Sequence, residues 1–369
     1  MNITLAISSL AGGGAERTAM VMAQEFMKRG HTLSLVTLYG EGSDFYPVPS
    51  GMRRVSLGLE GSSSGFYQPV RNNLRRIYAL RRAIRDTHPH VTISFIDRMN
   101  VLVLLSLLGT RIPVIVTERA DPDITPCGQP WGFLRRCLYP LAALLVSISH
   151  GVDRKFSWLA ASKRAVVHNP LWPKTTEEGA KDSPMLSPSR KHVVALGRLS
   201  SEKGFHLLIR AFAAIADENP EWDLTIIGEG PQRQELTSLI ASAGLNKRVT
   251  LQGQVQNPFA LLRQAHLFVM SSLSEGFGNA LIEAMACGIA AISFDCPSGP
   301  GEILRHNLDG ILVPPQDSAA LAAAMDRLMN NPNERHRLST EALKSVERFR
   351  VDRIMDQWDA VFQRLLLVK

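Results

Sequence analysis

The chain has 369 residues, 45% of them hydrophobic and 20% charged, which excludes a disordered or low-complexity protein. That length exceeds one ordinary core and predicts two domains of roughly 170 to 190 residues each. The net charge of +7 is unevenly placed, with 20 basic against 11 acidic residues in residues 1–170 and 21 against 23 in the remainder. A basic half suits an anionic membrane or a phosphorylated substrate, while the lack of a nucleic-acid fold signature sets DNA and RNA aside.

The first strand is predicted at Asn2–Ser8. The apolar run Ile3 to Leu10 is interrupted by Thr4, Ser8 and Ser9 and lacks a basic leader, so it reads as neither a signal peptide nor a membrane span. Gly12-Gly13-Gly14-Ala15 follows and opens a helix at Ala15–Arg29, where backbone without Cβ atoms could approach a phosphate; a tight turn alone is the simpler alternative. Arg17 occupies the place where a dinucleotide G-x-G-x-x-G needs its last glycine, which rules that fingerprint out. After a strand at Thr32–Leu38 comes a helix at Val70–Thr87 rich in arginine. On it Arg71, Arg75, Arg82 and Arg85 share one face, and Leu74, Ile77, Leu80 and Ala83 suit a buried stripe. The basic face is either solvated or drawn to anionic lipid or acceptor phosphates.

Strands are then predicted at Val91–Ile96, ending beside Asp97, at Pro113–Glu118 and at Leu144–Ser149, with a helix at Gly132–Tyr139 before the last. Asp121-Pro122-Asp123 copies a D-x-D metal motif but reads as turn chemistry. His150 and His168 at strand ends read as structural rather than catalytic. From Asn169-Pro170 to about Arg190 the chain is polar and Pro/Ser-rich, as a linker would be.

The pattern restarts with strands at His192–Gly197, Asp223–Gly228, Val249–Gln252, Leu267–Ser271, Ala290–Phe294 and Gly310–Val313. Arg198 and Lys203 follow the first of these and could place two cations beyond its end, suited to a leaving nucleoside diphosphate; ordinary solvated charges are the alternative. In the stretch Ser274 to Gly288, Glu275 lies in a loop and Glu283 about one turn inside the helix that follows. The backbone N–H groups of Phe277, Gly278, Asn279 and Ala280 would face an anion there, although the two glutamates also suit a solvated loop and a helix-dipole partner. Four cysteines (Cys127, Cys137, Cys287, Cys296) form no C-x-x-C pair, which fits a reducing cytoplasm and offers no metal site. Cys296 has no nearby His/Asp partner and is not read as a nucleophile. Phe349 to Leu367 reads as a closing amphipathic helix, with Ile354, Trp358, Val361, Phe362 and Leu365 at helical spacing. Strict alternation of strand and helix implies two parallel sheets, each covered on both faces, with a cleft between the two domains.

Glu275-x7-Glu283 with Gly276-Phe277-Gly278 after the first glutamate, the preceding strand and the Ala284-Met285-Ala286-Cys287-Gly288 helix end resemble the signature of family 4 retaining glycosyltransferases. That group uses nucleotide-sugar donors and has the two-domain GT-B fold. Gly197-Arg198-Leu199 with Lys203-Gly204 is similar to the family's diphosphate site. The resemblance implies that Glu275 binds the donor sugar's hydroxyls and Glu283 the ribose diol, while Arg198 and Lys203 neutralise the leaving diphosphate without a metal or other cofactor. It also implies that Gly13 and Gly14 lie beside the donor, and that Val249 to Val255, including Gln252 and Val255, meets the nucleobase mainly through backbone. Asp295 to Pro300 resembles a subset that builds bacterial surface or lipid-linked glycans, usually from UDP-sugars. On the acceptor side many members carry a histidine where this chain has Glu118, so Glu118 and Asp97 are both candidates to grip the acceptor, with Arg71 and Arg75 beside its phosphates.

The expectation is therefore a GT-B protein: residues 1–170 and a returning helix at 350–369 form the acceptor-side domain, and residues 171–349 bind the nucleotide-sugar. It would be a retaining, metal-independent hexosyl- or N-acetylhexosaminyltransferase, cytoplasmic or peripheral on the inner leaflet. It would use a UDP-sugar, or a GDP-sugar, and a glycan or polyprenyl-linked acceptor. The alternatives are a nucleotide-sugar 2-epimerase-like isomerase and a non-catalytic sugar-nucleotide binding subunit.

Overall fold

Short apolar runs that must all point the same way need a crossover between each pair, and a helix is the usual crossover. The computed structural model, which describes residues 1–60, 68–123, 128–171, 185–255 and 257–367, is built on this plan in two compact units. Cys127 and most of the expected linker, residues 172–184, lie outside the described residues.

The first unit comprises Met1–Pro170 and Val351–Lys369. Its elements run β1 (Asn2–Ile7), α1 (Gly14–Lys28), β2 (Thr32–Thr37), β3 (Arg53–Ser56), α2 (Gln68–Asp86), β4 (Val91–Phe95), α3 (Asp97–Leu107), β5 (Val114–Glu118), α4 (Trp131–Leu138), β6 (Leu144–Ser147), α5 (His150–Arg154) and β7 (Arg164–Val166). The seven strands form one parallel sheet in the order β3-β2-β1-β4-β5-β6-β7. The connection changes direction between β1 and β4, so loops leaving their carboxyl ends splay apart and leave a crevice where such sheets bind ligands.

The second unit, Leu171–Arg350, runs β8 (Lys191–Leu196), α6 (Phe205–Ile215), β9 (Trp222–Ile227), α7 (Arg233–Ser242), β10 (Val249–Gly253), α8 (Pro258–Leu262), β11 (Leu267–Met270), α9 (Asn279–Ala286), β12 (Ala290–Phe294), α10 (Pro300–Ile303), β13 (Ile311–Val313), α11 (Ser318–Asn330) and α12 (Pro332–Ser345). Its parallel sheet has the order β10-β9-β8-β11-β12-β13, which puts the switch point between β8 and β11.

The last helix, α13 (Val351–Leu367), belongs to the first unit. Ile354, Met355 and Trp358 are fully buried in one core with Ile3, Leu5 and Phe26, and Trp358 meets Phe26 edge-on at 6.0 Å. Arg29 secures the same helix through the Asp352 carbonyl at 2.9 Å and Asp356 Oδ1 at 2.8 Å, with Asp359 as a further partner.

Four elements depart from the sequence expectation. Helix α3 has no amphipathic period because eight of its eleven residues are buried, and β3 and β7 are short edge strands of four and three residues. On α2, Leu80 and Ala83 are buried but Leu74 is 61% exposed beside Val70 and Tyr78, so the expected apolar stripe is corrected at Leu74.

Candidate active site

The switch point of the second sheet brings two loops together by backbone contact. A Cβ on Gly204 would lie 2.2 Å from the Ser271 carbonyl oxygen, and its φ of +61° suits glycine, so this position lets the β8–α6 loop touch the end of β11. Ser271 Oγ donates to the Lys203 carbonyl at 2.9 Å, and Leu273 N donates to the Glu202 carbonyl at 2.8 Å. These ties hold Lys203 and Glu275 face to face: Lys203 Nζ donates to Glu275 Oε1 at 2.6 Å, and Ser272 Oγ donates to the same oxygen at 2.7 Å. Both side chains are mostly enclosed, 22% and 13% exposed, so the pair lies at lower dielectric than a surface ion pair. Ser271 and Ser272 were missed in the sequence; a Ser-Ser pair at a strand end has no distinctive spacing.

Arg198, on the same β8–α6 loop, is exposed, and among the described residues no carboxylate pairs with it. The loop therefore presents one paired and one exposed cation at the place where a diphosphate would be met by charge. Helix α9 starts behind Gly278, whose φ of +114° gives the helix a left-handed N-cap with no side-chain cap hydrogen bond. Asn279 and Ala280 are the first two residues of this helix, and Glu283, in the turn after them, is 2% exposed. The ring of Phe277 is buried edge-on against Phe349 at 5.3 Å, so the expected contact to a donor falls to its main chain. Gln252 and Val255 are half-buried at the outer edge of the sheet, on and just after β10. Cys296 is buried, and its thiol is pushed up to about 12 by burial and then by the Glu275 charge, which leaves it inert near neutrality.

In the first unit Gly13 and Gly14 are exposed at the start of α1. A Cβ on Gly13 would fall 2.2 Å from Glu16 Oε2, so the carboxylate of Glu16 folds over this turn. Its pKa is raised by burial. Asp97 opens α3 across the switch point, and the residue before it, Ile96, has φ +74° and ψ 142°. That conformation is strained for a β-branched side chain, and strain of this kind collects where a loop must aim a neighbour.

Glu118 does not present its carboxylate as the sequence reading required. It is 3% exposed and accepts a hydrogen bond from the Tyr139 hydroxyl, which in turn accepts from Asn100 Nδ2 at 3.1 Å. Burial pushes the Glu118 carboxyl up to about 7, opposed by the Tyr139 hydrogen bond and by Arg135, and helped by the charge of Asp97. It is a buried support behind the loop, which leaves Asp97 as the half-exposed carboxylate of the two acceptor candidates. Arg71 and Arg75 lie exposed on α2.

The sequence profile of the glycosyl transferases group 1 matches residues 179–345, and that of a glycosyl transferase 4-like domain matches residues 13–172. The chain belongs to the family 4 glycosyltransferases. This glycosyltransferase is 28% identical over 361 residues, 97% of either chain, to the GalNAc-alpha-(1->4)-GalNAc-alpha-(1->3)-diNAcBac-PP-undecaprenol alpha-1,4-N-acetyl-D-galactosaminyltransferase of Campylobacter jejuni. It is 34% identical over 173 residues, 47% of this chain and 49% of the other, to the lipopolysaccharide core biosynthesis glycosyltransferase LpsD of Rhizobium meliloti. Among solved structures, HepE of Anabaena in complex with UDP superposes with a TM-score of 0.77 at 17% identity, over 98% of this chain and all of that one, which gives the fold as GT-B.

Proposed function

We propose that this glycosyltransferase moves a hexosyl or N-acetylhexosaminyl group from a UDP-sugar to a lipid-linked glycan, with retention of anomeric configuration and without a metal. The observation that carries the reading is the meeting of Lys203 and Glu275 at the second unit's switch point, one a cation for phosphate and the other an acceptor for sugar hydroxyls. Glu283, buried at the start of α9, supplies a carboxylate for the ribose diol. The named acceptor of the Campylobacter jejuni relative, a diphospho-undecaprenol glycan, supports the acceptor class, and UDP in HepE supports the donor. A GDP-sugar is the second donor to test.

In this reading the bond between the anomeric carbon and the β-phosphate oxygen breaks first, and Lys203, Arg198 and the α9 N–H groups stabilise the developing diphosphate charge. The acceptor hydroxyl then bonds the anomeric carbon on the same face, and the departing phosphate oxygen takes its proton. No protein nucleophile is needed, and two fixed cations do the electrostatic work a divalent ion would do. The basic, partly apolar outer face of α2 suits attachment at the inner leaflet, where polyprenyl-linked acceptors lie.

The test is incubation of purified protein with UDP- and GDP-sugars, with and without a polyprenyl-diphosphate glycan, with and without EDTA. Acceptor-dependent release of UDP and an axial-to-axial linkage by NMR are expected, undiminished by EDTA. Epimerised donor would mean an isomerase, unchanged donor a binding subunit, and rescue by Mn²⁺ or Mg²⁺ would overturn the metal-free route.

A further inference from the structure

Arg119 is the first residue beyond β5, at the end of the first sheet where its ligand crevice opens. Its guanidinium lies over the buried ring of Phe95 at 5.3 Å, at the end of the neighbouring β4. Nη1 donates to Asn169 Oδ1 at 2.7 Å and Nη2 points at the Met22 sulfur on α1 at 3.7 Å, while Nε is buried with no partner. All of these contacts are neutral, and among the described residues no carboxylate pairs with Arg119. The residue still keeps a share of its surface in solvent.

Other arginines of comparable burial are balanced. Arg164 faces Asp153 and Arg248 faces Asp223, while Arg335 takes main-chain carbonyls at the end of α11. Arg119 has neither kind of partner. Burial alone holds its pKa down at about 10. An enclosed cation without a counter-charge is costly to keep, and a guanidinium, unlike a lysine ammonium, cannot readily discharge. Its place at the crevice, between β4 and the helix that follows the glycine loop, gives that cost a use.

We infer that Arg119 is a binding residue of the first unit for a phosphate oxyanion of a substrate. This rests on the glycosyltransferase reading above, in which two substrates carry a diphosphate: the nucleotide donor and the polyprenyl-linked acceptor. The shared chemistry is a diphosphate oxygen held by a guanidinium braced on an aromatic ring.

The experiment compares full-length wild type with Arg119→Met and Arg119→Lys by calorimetry, using UDP as one probe and farnesyl diphosphate as the other, with thermal melts alongside. Methionine should weaken one probe by about tenfold or more, and lysine should recover part of the loss. Loss confined to UDP assigns the donor diphosphate; loss confined to farnesyl diphosphate assigns the acceptor. Because methionine removes an unbalanced cation, its melting temperature should equal or exceed that of wild type. Binding of both probes within twofold of wild type, or a lowered melting temperature with affinity unchanged, would make Arg119 a packing residue and overturn the assignment. Should Arg119→Met not fold, wild-type affinity in Arg119→Lys, whose single ammonium lacks the fork, overturns it equally. Wild type that binds neither probe would overturn the nucleotide-sugar reading along with it.

Discussion

Lys203 Nζ and Glu275 Oε1 are 2.6 Å apart although the residues stand 72 positions apart in the chain, and each comes from a different loop of the same switch point. In the proposed function the pair links the two halves of the donor site before a donor arrives. A diphosphate that draws Lys203 toward itself must share that cation with Glu275, while sugar hydroxyls can take over the carboxylate's other lone pairs.

The first prediction follows from this sharing. Lys203→Ala should weaken UDP by about tenfold, the worth of one charge-assisted hydrogen bond. Glu275→Gln should leave UDP affinity equal or slightly higher, because Lys203 is released toward the phosphate, while turnover falls about 10²-fold or more through lost contacts to the transferred sugar. Calorimetry with UDP and single-turnover rates separate the two effects. Equal losses of UDP affinity in both variants would refute the division of labour.

Glu283→Gln should weaken UDP and intact donor alike, by about 1.5–3 kcal/mol, since a ribose contact is common to both. Glutamine keeps the volume of this 2% exposed side chain, so the fold is spared a cavity. Unchanged affinity for UDP would remove Glu283 from the ribose site.

The buried carboxyl of Glu118 makes stability depend on pH in a stated direction. Its pKa is about 7 in the folded protein against an ordinary 4.5, so the native state holds the extra proton between those values. The resulting stabilisation is fully present below about pH 4.5 and is lost as pH rises through 7. Glu118→Gln stays neutral throughout, and Asn100 Oδ1, which has no partner among the described residues, is available to the new amide. Relative to that variant, wild type should lose about 2 to 3 kcal/mol between pH 5 and pH 8 in urea titrations. Parallel curves for the two proteins would show that Glu118 ionises normally.

How much of this was legible in the sequence varied with burial. The α9 segment was readable because its glycines, helix start and two glutamates are close in the chain, and so was α13, whose apolar residues repeat at helical spacing. Helix α3 was not, since an element buried on nearly all sides has no polar face to set a period. The Lys203–Glu275 contact required two loops to be adjacent, which depends on strand order rather than on any local spacing. Glu118 was misjudged for the opposite reason: a carboxylate at a strand end looks like a ligand until Tyr139 and Asn100, 21 and 18 positions away, are seen to enclose it.

The last prediction concerns α2, where the correction at Leu74 changes the physics. Arg71, Arg75, Arg82 and Arg85 are exposed, and so are Val70, Leu74 and Tyr78, at 61%, 61% and 71%. Spaced four apart, these three apolar side chains form a stripe among the arginines, the composition of a helix that lies in a lipid interface. Arginines near an anionic surface contribute about 1 kcal/mol each and are screened by salt within about 10 Å at 0.1 M, whereas inserted apolar side chains resist salt. Flotation with phosphatidylglycerol vesicles should therefore fall, but not vanish, between low and high salt for wild type. Changing the four arginines to serine should abolish the salt-sensitive part, and Leu74→Ser with Tyr78→Ser should abolish the part that survives high salt. If wild type does not float at any salt concentration, the stripe is not a lipid surface; if both variants float like wild type, another part of the molecule holds the membrane.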